Sequence, residues 1–164
     1  MAAKNKALNS ANYHLVQADA HHLPFPDGHF DVVSCHASLH QFKDAVPVLK
    51  EINRVTKPKG SIMIRDLRRP VNMMVLRLYL MIFGAQYNQT QKKLYNDSLL
   101  AAFTPDELQS MAFEAGLSDF VIRSYFITEI ALERAAGFTP SPAEGVHTHL
   151  GFLTRLMEYL YISR

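Results

Sequence analysis

Val16-Gln17-Ala18-Asp19-Ala20-His21-His22-Leu23-Pro24-Phe25-Pro26-Asp27-Gly28-His29-Phe30-Asp31-Val32-Val33-Ser34 is the stretch whose reading decides the fold. It reads as strand, acidic turn, apolar loop, tight turn and strand. Tyr13-His14-Leu15-Val16 is short and β-prone, and Asp19-Ala20 follows it directly. Phe30 to Ser34 is a second β-rich run, launched by the Asp27-Gly28 turn signal. Ligands of open α/β sheets bind beyond the carboxyl ends of the strands. An aspartate at position 19 is well sited to accept a hydrogen bond from a ligand amine.

Working outward, Asp44 is the expected N-cap of a helix running to about Thr56, with Ala45, Val48, Leu49, Ile52 and Val55 as its buried stripe. Pro47 falls in its first turn, and Lys57-Pro58-Lys59-Gly60 is expected to end it. Ser61 to Leu67 reads as a third strand, so strand, helix and strand form a parallel βαβ unit. The segment 70–103 reads as a helical insert. Thr104-Pro105-Asp106-Glu107 is a strong helix start, with Leu108, Met111, Ala112 and Ala115 on the apolar side and Gly116 as the stop. Asp119 to Glu129 reads as a strand, which Ile130 to Arg134 either extends or follows as a separate strand. Residues 135–164 read as a Pro/Gly linker and a C-terminal amphipathic helix with Leu153, Leu156, Met157 and Leu160 at helical spacing; residues 1–12 read as a loose arm.

The run DAHHLPFPDGHFDVV, followed by LKEINRVTKPKGSIMIRDL, resembles the second half of a class I S-adenosylmethionine-dependent methyltransferase core, in the style of the ubiquinone/menaquinone-type small-molecule enzymes. The resemblance covers about Tyr13 to Arg134 and is densest from Asp19 to Leu67. It implies an α/β, partial Rossmann-like domain over 13–134 with a mostly parallel sheet, a helical insert or lid at 70–103 and a C-terminal helix outside the family pattern. Members of that family normally open with a strand, a glycine-rich GxGxG turn and a second strand. No GxGxG occurs among the 7 glycines here. The pattern thus begins at the family's third strand, and the chain reads as truncated. A partner chain or a second copy that completes the sheet is one consequence.

The resemblance also assigns roles. S-adenosylmethionine is the implied cofactor, with Asp19 accepting from the adenine amine and the Ala20 N–H donating to its ring. His21 and Leu23 border that pocket, and Cys35 and His36 lie where the family's fourth strand opens beneath the cofactor. His36, His40 and Asp66 are the candidate acid/base residues for an acceptor hydroxyl or amine. Arg65, Arg68 and Arg69 form a cationic cluster suited to an anion or to solvent. Each assignment has a plainer counterpart: a solvated turn aspartate, surface histidines, a loop histidine held by a hydrogen bond. Cys35, His36 and His40 also evoke a metal site, but no second ligand pair has matching spacing, so no metal is expected.

Totals bound the function. The chain has 164 residues, 48% hydrophobic and 20% charged, which suits a single domain with a core. A net charge of +2 gives no footprint for nucleic acid. One cysteine rules out an intrachain disulfide framework. The first residues lack the apolar core of a signal peptide, and the apolar run Met73–Phe83 is interrupted by Arg77. A cytoplasmic domain acting on a small-molecule acceptor, away from membranes, is the expectation. The alternatives are a non-catalytic methyltransferase-like module for dimerisation or partner binding, and a histidine-based metal protein.

Overall fold

The computed structural model describes residues 14–70, 72–83, 87–125 and 128–137. The expected arm at 1–12 and C-terminal helix lie outside them, as does most of the linker.

The chain folds as β1 (Phe30–His36), α1 (Val46–Val55), β2 (Thr56–Leu67), α2 (Met73–Phe83), α3 (Gln89–Ala101), α4 (Pro105–Glu114), β3 (Val121–Tyr125) and β4 (Glu129–Arg134), with a 3-10 turn at Leu39–Gln41. The four strands form one sheet in the order β1-β2-β4-β3. The β1–β2 pair is parallel, in register Val33↔Ile62 and Cys35↔Ile64. Here the parallel βαβ reading holds, because a crossover helix lies between the strands.

The expectation of a mostly parallel sheet needs correction. β2–β4 and β3–β4 are antiparallel, in registers Ile64↔Leu132 and Arg123↔Ala131. Only three residues separate Tyr125 from Glu129, and a parallel connection needs a dozen or more residues. The antiparallel pairing of β3 with β4 thus divides the single strand expected over Asp119 to Glu129. Asp119, at φ 57°, marks the backbone reversal before β3 starts.

The alternation of each strand supplies the core. Val33 and Cys35 of β1, Ile62 and Ile64 of β2, and Ile130 and Leu132 of β4 meet Val48, Leu49 and Ile52 of α1 and Leu108 and Ala112 of α4. Ile130, Ala131 and Leu132 are buried in succession, as expected of an inner strand. α1 follows its predicted stripe. Its N-cap is Ala45 rather than Asp44, yet the Asp44 carboxylate still accepts the Val46 N–H at 3.1 Å. α4 opens with the expected capping box and ends before Gly116 at φ +75°, a conformation that favours glycine.

Lys57–Gly60 does not end the helix but belongs to β2. Phe30 faces Thr56 and Val32 faces Ser61, so five steps of β2 are matched to two of β1. The extra residues bulge, Lys57 Nζ donates to Asp31 Oδ1 at 2.7 Å, and Gly60 packs where a Cβ would lie 2.9 Å from the Asp31 carbonyl oxygen.

The strand expected at Tyr13–Val16 is not formed over its described part. His14 to Ala18 lie outside any strand, and Leu15 and Val16 are 90% and 52% exposed. A β-prone segment becomes a strand only by pairing, and among the described residues this one has no strand beside it.

The 70–103 segment leaves and returns at one place. Arg68 bridges Phe103, and the Arg69 N–H donates to the Phe103 carbonyl at 3.1 Å. α2 and α3 therefore rise from the carboxyl end of β2. α3 lies against the 3-10 turn. Leu76 is fully buried, whereas Met74, Leu78, Met81 and Ile82 of α2 are exposed. No helix among the described residues is long and apolar enough to cross a membrane.

Candidate active site

The carboxyl ends of β1 and β2 bring His40 and Asp66 together. β1 ends at His36, Ala37 turns the chain at φ 50°, and the 3-10 turn swings His40 over the end of β2. His40 Nδ1 lies 2.5 Å from Asp66 Oδ1, and the His40 backbone N–H donates to Asp66 Oδ2 at 3.0 Å. The Leu67 N–H also donates to Oδ1, at 2.7 Å. The two side chains are only 7% and 2% exposed. A carboxylate can only accept, so Nδ1 carries the hydrogen of this bond, and in a neutral ring Nε2 is then the lone-pair nitrogen. The bond thus fixes the orientation of the imidazole and the tautomer of its neutral form.

His36 stands apart from this pair. Its side chain is exposed, its strand partner is Arg65, and its carbonyl accepts from Ser38 Oγ at 3.2 Å. The helical i,i+4 relation between His36 and His40 is absent because one ends a strand and the other sits in a 3-10 turn. Cys35 packs half-buried against the core with Sγ 3.3 Å from Ser38 Oγ, and burial pushes its thiol pKa up. It is a poor nucleophile. Among the described residues no three His, Cys, Asp or Glu side chains converge as a metal site.

The loop from Asp19 reaches the same end of the sheet. Its turn closes by donation of the His22 N–H to the Asp19 carbonyl at 3.0 Å. Asp19 Oδ1 takes the His21 N–H at 2.9 Å and lies 2.8 Å from His21 Nδ1. These bonds, the backbone one foremost, hold the exposed Asp19 carboxyl below the usual carboxylate range. Both bonds go to Oδ1, so Oδ2 keeps its acceptor capacity, and the turn uses the N–H groups of His21 and His22 but not that of Ala20. The His21 ring meets Phe42 edge-on at 5.5 Å, which joins this loop to the 3-10 turn of His40. Ala20 packs partly buried against the core.

Two residues that sequence reasoning passed over tie down the rest of the loop. The Leu23 N–H donates to Glu51 Oε2 at 2.8 Å. Arg54 donates to the carbonyls of Leu23 and Phe25 at 3.0 and 2.8 Å. Arg54 also pairs with Asp27 and Glu51. The Arg54 guanidinium, followed by the Leu23 N–H, brings the Glu51 carboxyl down to about 2. The available signal was an acid and a base three apart on α1, beside its apolar stripe. The arginine cluster, in contrast, is largely spent within the chain. Arg65 lies over the Tyr125 ring and faces Glu129, and Arg69 pairs with Glu107.

A family model described as a methyltransferase domain matches residues 1–64. A demethylmenaquinone methyltransferase of Staphylococcus epidermidis is 31% identical over 132 residues, covering 74% of this chain and 54% of that protein. The ubiquinone/menaquinone biosynthesis C-methyltransferase UbiE of Pseudomonas syringae is 30% identical over 134 residues, covering 76% and 52%. The chain is similar in sequence to these methyltransferases over about three quarters of its length. It spans about half the length of the curated relatives it matches. The chain also shares the fold of solved methyltransferases. An S-adenosylmethionine-dependent methyltransferase from Aquifex aeolicus superposes with a TM-score of 0.54 at 14% identity, covering 78% of this chain and 57% of that one. An arsenic(III) S-adenosylmethionine methyltransferase from Chlamydomonas reinhardtii gives 0.55 at 18% identity, covering 84% and 48%.

Proposed function

We propose that the chain binds S-adenosylmethionine at the 19–23 turn and supports methyl transfer to a small-molecule acceptor of the quinol type. The observation that carries this reading is the buried His40–Asp66 pair beside a loop with an open acceptor and an open donor. Asp19 Oδ2 and the Ala20 N–H match the amine and ring nitrogen of an adenine edge, with His21 and Leu23 as flanks. Cys35 and His36, at the end of β1, are proposed to lie against the rest of the cofactor. No glycine-rich turn in the sequence is available for its amino-acid end.

When bound, the cofactor supplies an electrophilic methyl group on a sulfonium, so alignment rather than covalent catalysis is what the protein must provide. Asp66 holds His40 in one tautomer and orientation. His40 Nε2 accepts the proton of an acceptor hydroxyl and raises its nucleophilicity. His36, exposed at the strand end, is the second candidate for that proton. The α2–α3 excursion, with apolar Met74, Leu78 and Met81 exposed, serves as a lid for an apolar acceptor. The name of the Staphylococcus relative motivates the quinone class.

Among the described residues β1 is an edge strand, which favours a second reading, a methyltransferase-like module completed by a partner chain or a second copy. Val32 is 63% exposed there. One assay separates the two readings: transfer of labelled methyl from S-adenosylmethionine to a panel of hydroquinones, with Asp19→Ala as control. Transfer that disappears in the control supports the enzyme. A folded chain that transfers nothing to any acceptor overturns it in favour of the module.

A further inference from the structure

We infer that Glu51 and Arg54 are positioning residues that hold the 19–27 loop in the form needed to recognise a ligand at Asp19 and Ala20. The inference rests on the cofactor reading above. It starts from a difficulty written into the loop. Leu23-Pro24-Phe25-Pro26 has prolines at alternate positions, so two backbone N–H groups are missing and Leu23 and Phe25 are biased toward extended conformations. Such a segment cannot pair as a strand; the Phe25 N–H reaches back to the Leu23 carbonyl at 2.8 Å, and further donors come from elsewhere.

Arg54 supplies them. Its Nε donates to Glu51 Oε1 at 2.8 Å. One terminal nitrogen donates to Phe25 O at 2.8 Å and Asp27 Oδ1 at 2.7 Å. The other donates to Leu23 O at 3.0 Å and Glu51 Oε2 at 2.8 Å. A guanidinium has five N–H donors in a rigid planar fork, and this geometry gives each of them an acceptor. Glu51 is bidentate to Arg54 and takes the Leu23 N–H as well. The Gly28 N–H closes the far end on the Arg54 carbonyl at 2.8 Å. α1 therefore holds both the N–H and the C=O of Leu23, one residue beyond the Asp19–His22 turn, and its own position is set by the core stripe Val48, Leu49, Ile52 and Val55.

A lysine at 54 keeps the charge but not the fork, and a glutamine at 51 keeps an acceptor for Leu23 but not the bidentate pair. Both face the helix flank rather than the core, so neither substitution needs to unfold the chain. The experiment uses the full chain and Arg54→Lys and Glu51→Gln, with amide hydrogen exchange and calorimetric titration of S-adenosylmethionine on each. The expected result is exchange at Leu23 and Gly28 faster by about tenfold or more, with Val33, Cys35, Ile62 and Ile64 unchanged. Cofactor affinity should fall by about tenfold or more, the loss expected from one charge-assisted hydrogen bond. Loop exchange that is unchanged, or that rises equally in β1 and β2, overturns the clamp. Variants with a loosened loop but wild-type affinity overturn the positioning role alone. A wild-type chain that binds no S-adenosylmethionine overturns the cofactor reading and the role with it.

Discussion

Replacing Asp66 by alanine removes three accepted hydrogen bonds at once: two from His40 and one from Leu67. The His40 groups are buried, so neither its backbone N–H nor its ring N–H can turn to water, whereas the half-buried Leu67 N–H can. Each stranded buried donor costs about 1–3 kcal/mol. With two such donors on His40, we expect Asp66→Ala to destabilise by about 2–6 kcal/mol, a large part of the roughly 5–15 kcal/mol of an ordinary domain. Asp66→Asn should cost less, about 1–3 kcal/mol. Its oxygen can still serve His40 Nδ1–H and Leu67, while its NH2 opposes only the His40 backbone N–H. Urea unfolding measures both, and thermal melting should show a fall on the order of 10 °C for the alanine variant. Asp66→Ala within about 1 kcal/mol of wild type would refute the reasoning, because two stranded buried donors together cost more than that.

Gly60→Ala should destabilise by about 1–3 kcal/mol, since the new Cβ meets the Asp31 carbonyl at 2.9 Å and backbone cannot yield as a side chain does; a melting curve reads it. Thr104→Ala should cost about 1 kcal/mol through loss of the α4 capping box, read by urea unfolding, with Thr104→Ser close to wild type. Glu51 gives a pH dependence. Its carboxyl lies at about 2 when folded against a usual 4.5, so its contribution is complete above pH 4.5 and is lost as pH falls toward 2. Thermal melting across that window should drop more steeply for wild type than for Glu51→Gln.

Periodicity carried the parts of the fold that are local. The α1 stripe, the Thr104 cap and the β1 and β2 alternation each state their structure in a few residues. What was not legible depends on partners distant in sequence. Val121 and Glu133 pair antiparallel within one run of β-prone residues, and nothing in that run marks where β3 gives way to β4. Leu15 and Val16 have strand propensity but no strand neighbour among the described residues. Lys57–Gly60 looks like a helix stop, and only the register with β1 reveals a bulge. The site divides in the same way. His40 and Asp66 were candidates by their places at strand ends, but 26 positions apart nothing in the sequence pairs them. Glu51 and Arg54 were hidden because an acid and a base three apart on a helix usually form only a solvated pair.

The measurement that tests the central claim most directly is calorimetric titration of S-adenosylmethionine into the purified chain at a known oligomeric state. The account predicts saturable binding in the micromolar range that Asp19→Ala abolishes while the fold stays intact. No heat from a demonstrably folded chain, or affinity unchanged in the Asp19 variant, would contradict it.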